Sequence, residues 1–158
     1  MTAGSQIVRD LNRALDLRRV SEGMAMLDEG EEIWTRLVPS QAHAAELLLL
    51  LAQWIDIGYR DYYLLDSLLK KYPAGSRRRL PLEDYLRLRM VEAFRAFAAE
   101  EVDPAIETLD FVLRAERGAE DEQLMTLAFF WKGRAHRKKG EYEMALREIV
   151  SARELAHA

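Results

Sequence analysis

The sequence contains no cysteine, and only three histidines, four prolines and eight glycines are spread over its 158 residues. Without cysteine there is no disulfide framework, no thiolate zinc site and no cysteine nucleophile, so any chemistry is metal-free or uses oxygen ligands. Scarce proline and glycine leave long stretches rich in Ala, Leu, Glu and Arg, which are strong helix formers, while strand signals are nearly absent. No long hydrophobic run occurs either. The most apolar stretch, Ala44 to Ile57, holds Leu47 to Leu51 unbroken but is bounded by Glu46 and interrupted by Gln53 and Asp56. It falls short of the roughly 20 apolar residues a bilayer span needs and reads as a buried helix. The opening Met1-Thr-Ala-Gly-Ser-Gln lacks a basic segment followed by an apolar one, which argues against a secretory signal and makes a cytoplasmic location the expectation.

An excess of positive charge is also missing. Lys and Arg number 23 against 27 Asp and Glu, a formal charge of -4. This excludes a nucleic-acid module whose affinity comes from an overall basic surface, though not a local basic patch. With 49% hydrophobic residues the chain carries enough apolar surface for a core, and its length suits one compact domain or a short stack of repeats.

Apolar residues recur at helical spacing. Ile7, Val8, Leu11, Ala14 and Leu15 form one stripe, and Leu86, Met90, Ala93, Phe94 and Phe97 form another. Loop chemistry at Val38-Pro39-Ser40, at Pro73-Ala74-Gly75-Ser76 and around Gly118 separates longer segments. Shorter interruptions fall near Arg18 to Val20, at Gly58-Tyr59, at Glu100 to Asp103 and at Gly140. Asp103 as N-cap with Pro104 behind it predicts a helix over 104–115, and Gly140 separates a helix over 122–139 from one running to the C-terminus. The pattern predicts eight helices in four hairpins.

Taking the short turns as markers at Arg18, Gly58, Glu100 and Gly140 gives separations of 40, 42 and 40 residues. Such regularity is the signature of a repeat. Five residues past each marker stand Gly23, Tyr63, Ala105 and Ala145, and four further on Leu27, Ser67, Leu109 and Ile149. Three of the first four are small, as a close approach of paired helices requires. The implied units are 5–37, 40–73, 81–117 and 120–158, within a single domain over 1–158.

The last unit, Phe129-Phe130-Trp131-Lys132-Gly133-Arg134-Ala135-His136 followed by Gly140-Glu141-Tyr142-Glu143-Met144-Ala145-Leu146, resembles a tetratricopeptide repeat. Phe129 precedes the small Gly133 by four positions, Ala145 follows twelve later, and Ile149 and Ala152 close the pattern. The other units follow more loosely. Departures include Lys132 for a leucine, His136 for a tyrosine, a missing final proline, and a period longer than the family's usual 34 residues.

The resemblance implies an all-α fold in which antiparallel helical hairpins stack into a right-handed superhelix with a concave groove. Carried over position by position, that groove is lined by Asn12 and Leu15, by Leu48, Ala52 and Ile55, by Met90, Phe94 and Phe97, and by Phe130, Arg134, Arg137 and Lys138. It is apolar in the middle and basic at one end. The expected function is a non-catalytic scaffold that binds a protein or peptide, with Phe94, Phe97 and Phe130 holding apolar side chains and Arg134, Arg137 and Lys138 attracting acidic groups. The same aromatics also fit core packing, and the cations of 134–139 also fit the negative end of their helix.

Other features are weaker. Arg77-Arg78-Arg79 suits either a solvated loop or an acidic partner. His43, His136 and His157 have no metal-binding spacing, and Glu116, Glu120, Asp121 and Glu122 lack the order of a calcium loop. No nucleophile elbow, phosphate-cradling loop or His/acid constellation is present, so neither an enzyme nor a cofactor is expected. The final helix keeps Ala145, Leu146, Ile149, Val150, Ala152, Leu155 and Ala156 apolar, more than one face needs. A longer solenoid or a homodimer through this helix is therefore expected, and a regulatory or self-association segment of a larger signalling or transcription factor is the alternative function.

Overall fold

The computed structural model describes residues 9, 10, 13, 44–58, 62–72, 79–115 and 121–156. It is all helical: among the described residues there is no strand, and six helices have full bounds. These are α1 (Ala44–Asp56), α2 (Tyr62–Leu69), α3 (Leu82–Ala98), α4 (Val102–Ala115), α5 (Glu122–Lys138) and α6 (Tyr142–Ala156). Arg9, Asp10 and Arg13 are helical too, but the expected first hairpin otherwise lies outside the described residues, as do Asn12, Leu15, Arg77, Arg78, His43 and His157. The chain divides into two compact units, Met1–Leu88 and Arg89–Ala158, with the boundary inside α3.

In the first unit α1 packs on α2. Ala45, Leu48, Leu49, Leu50, Leu51, Ala52, Trp54 and Ile55 are all buried, so α1 is covered over most of its circumference, with Glu46, Gln53 and Asp56 partly exposed on the remaining face. Leu64, Leu65 and Leu68 supply the inward stripe of α2. Buried Tyr72 follows it, its hydroxyl pushed up to about 12 by burial and by the nearby Asp84 carboxylate.

In the second unit α4 packs on α5 and α5 on α6. Leu124, Ala128, Trp131 and Ala135 form the buried seam of α5 at i, i+4, i+7 and i+11. Asp121 caps that helix, its Oδ1 accepting the Leu124 N–H at 3.0 Å. The 104–115 helix begins two residues earlier than expected, at Val102, so Asp103 sits in its first turn rather than at the cap. Pro104 is still harmless there, because N–H groups of the first turn have no intrahelical partner.

The two C-terminal hairpins share one register. α3, α4 and the turn between them match α5, α6 and their turn at an offset of 40 residues, for both ends of the first helix and the start of the second. Each turn closes by the same pair of backbone bonds. Glu101 N–H reaches Ala96 O at 2.8 Å and Glu100 N–H reaches Phe97 O at 3.0 Å, while Glu141 N–H reaches His136 O at 2.9 Å and Gly140 N–H reaches Arg137 O at 3.0 Å. This is the Schellman arrangement, which needs a left-handed residue after the cap. Gly140 adopts it with φ 81°, and Glu100 adopts it with φ 65° despite its side chain. Gly58, at the end of α1, also has positive φ.

Gly133 lies where α5 meets α6. A Cβ there would stand 2.8 Å from Ile149 Cγ1 and 3.1 Å from Ala145 O, so only glycine permits this approach. Lys132 beside it is mostly buried and joins three helices, with Nζ 2.7 Å from Asp110 of α4 and 2.9 Å from Glu148 of α6. Burial pulls its ammonium down, but the bonds to the two carboxylates outweigh this and leave it raised.

Candidate functional site

The residues expected to line a groove divide into two groups. Leu48, Ile55 and Met90 are buried in the core and line no open surface. The expectation treated each helix as having one apolar stripe for binding. α1 is buried over most of its circumference, and α3 buries Leu86, Leu88, Met90, Val91, Ala93 and Phe94 over more than half of its own. Phe94 is buried as well, its ring packed on Trp131 with centroids 5.5 Å apart.

Phe97, Phe130, Arg134 and Lys138 come together. Phe130, Arg134 and Arg137 stand at i, i+4 and i+7 of α5 and so share a face. The Arg134 guanidinium lies 5.3 Å from the Phe97 ring centre and 5.9 Å from that of Phe130. Lys138 Nζ lies 5.2 Å from the Phe97 ring centre and 3.3 Å from Glu100 Oε1. These separations suit cation–π attraction, which holds the cationic heads over the rings instead of letting them sweep through solvent. Arg137 is exposed beside them, with no ion pair to any described residue.

Below this cationic rim is a shallow surface depression lined by Ala93, Phe94, Phe97, Leu109, Trp131 and Arg134. Its floor is apolar and its charged edge is the Arg134 head. Trp131 and Leu109 were not among the expected site residues. The buried spacing Leu124, Ala128, Trp131, Ala135 carries the missing signal, because that phase turns Trp131 inward and Phe130 outward.

The turn following Arg137 is itself bound by charge. Lys139 Nζ meets Asp103 at 2.6 Å and Glu141 at 3.4 Å, and these bonds, that to Asp103 foremost, raise its ammonium. Glu141 Oε1 lies 3.2 Å from Nδ1 of buried His136, and that bond, with Lys139 behind it, holds Glu141 below the ordinary carboxylate range. Nε2 of His136 has no hydrogen-bond partner among the described residues. No group of three or more potential metal ligands occurs among the described residues. Comparison with protein families, characterised proteins and solved structures finds no match for this chain.

Proposed function

We propose that the chain is a non-catalytic, protein- or peptide-binding scaffold of the tetratricopeptide-like kind, its hairpins stacked as a right-handed superhelix. The bound segment is acidic and apolar together: an apolar side chain lies against the shallow depression edged by Phe97, and neighbouring carboxylates meet Arg134, Arg137 and Lys138. One observation carries this reading, the Arg134 head held on the Phe97 and Phe130 rings at the edge of an apolar cleft. A guanidinium so held loses little side-chain freedom on meeting a carboxylate.

The test is an array of immobilised peptides mixing Leu or Phe with Glu, read against the same peptides with Lys in place of Glu. Binding confined to the acidic set, lost in Arg134→Glu and weakened in Phe97→Ala, supports the proposal. Equal binding to both sets, or binding indifferent to Arg134, overturns it.

A further inference from the structure

α6 presents an apolar stripe to solvent. Tyr142, Leu146 and Val150, spaced i, i+4 and i+8, are 69%, 63% and 42% exposed, while Ala145 and Ala152 on another face are buried. The 40-residue register explains what this stripe corresponds to. Its counterparts on α4 are Val102, Ile106 and Asp110, all partly covered, and Asp110 bonds Lys132 of the next helix. α4 thus has α5 packed against it, and the same face of α6 stands open.

The charges along α6 indicate what covers it. Exposed Glu143 and Arg153 are equidistant from position 148, and so are Leu146 and Val150. A second α6 laid antiparallel about that midpoint brings each Leu146 level with the other Val150 and each Glu143 level with the other Arg153. At these four positions the helix is complementary to itself in apolar surface and charge, while Tyr142 comes level with Glu154. We infer that α6 is a homodimer interface, in which two copies of this chain pair antiparallel about a two-fold axis at the level of position 148, on the face opposite the Glu148 side chain, which bonds Lys132. The arrangement is isologous, so it closes at two copies and does not propagate.

Light scattering coupled to size exclusion, run over a tenfold concentration range on the whole chain, reads this directly. Twice the 18.3 kDa chain mass is expected. Leu146→Glu, on an exposed position, removes an apolar contact from each copy and leaves a monomer with an unchanged helical circular dichroism spectrum, its dissociation constant raised about a hundredfold. Glu143→Arg weakens the dimer several-fold by setting two arginines level, and Glu143→Arg with Arg153→Glu restores it. A monomer at every concentration overturns the inference. So does a dimer untouched by Leu146→Glu, or a double charge variant no tighter than the single one. None of these residues belongs to the cleft of α3 and α5, so peptide binding and dimerisation fail independently.

Discussion

At the scale of single residues, charge placement decides more than charge number. Lys132 stands in a packed helix interface and is tolerated because Asp110 and Glu148 reach it from both sides. Lys132→Met keeps the apolar stem but strands the two carboxylates, Glu148 being mostly buried. The expected loss is about 2 kcal/mol, and Lys132→Met with Glu148→Leu regains part of it by removing the more buried anion. Urea unfolding of the two variants checks both signs. Tyr72 makes a separate prediction at high pH. Its hydroxyl titrates near 10 in the unfolded chain and at about 12 in the folded one, so folding stability is intact below pH 10 and falls as pH rises to 12. The full loss is about 2–3 kcal/mol, and Tyr72→Phe abolishes this alkaline component of the pH–stability curve.

At the scale of elements, the two Schellman turns form a matched experiment. Both require a left-handed residue, and only one has glycine there. Gly140→Ala meets no neighbouring atom, so its expected cost of about 1 kcal/mol comes from the backbone alone. Glu100→Gly has the opposite sign: relief of the left-handed penalty exceeds the weak exposed pair with Lys138, for a net gain of about 0.5 kcal/mol. Thermal unfolding of the two variants is expected to move the midpoint in opposite directions. Gly133→Ala inside α5 would gain about 1 kcal/mol from helix propensity alone. The contact with Ile149 and the Ala145 carbonyl reverses this to a net loss of about 1–2 kcal/mol, because a backbone oxygen yields only if α6 shifts.

At the scale of the whole molecule, a chain of net charge -4 carries a cationic cluster of Arg134, Arg137, Lys138 and Lys139 at one end of α5. Lys138 and Lys139 are engaged with Glu100 and Asp103, while Arg137 is exposed beside them. On the proposed function, binding of an acidic peptide weakens as salt rises and the screening length falls from about 10 Å at 0.1 M to about 3 Å at 1 M. The apolar part in the cleft persists. Fluorescence anisotropy against salt concentration is expected to show a sloping decline to a non-zero plateau, and Arg137→Gln a shallower slope. No helix among the described residues is long and apolar enough to cross a membrane.

The sequence by itself determined that the described chain is helical and where several of its breaks fall. Few glycines and prolines, apolar residues at helical spacing, and turns at Gly58, Glu100 and Gly140 are local signals, and local backbone preferences act on them before any packing occurs. The small residue at Gly133 was legible for the same reason: a missing side chain in a helix marks a close neighbour. Exposure was not legible, because helical spacing selects a stripe without saying how many other helices surround it. Met90, Phe94 and Phe97 lie on one stripe in α3, yet the first two are buried and the third forms the edge of a cleft. Only the tertiary structure decided that Lys132 joins three helices and that Arg134 rests on two phenylalanine rings. Each of these depends on atoms brought together from distant parts of the chain, and their contact energies exist only once the helices have packed.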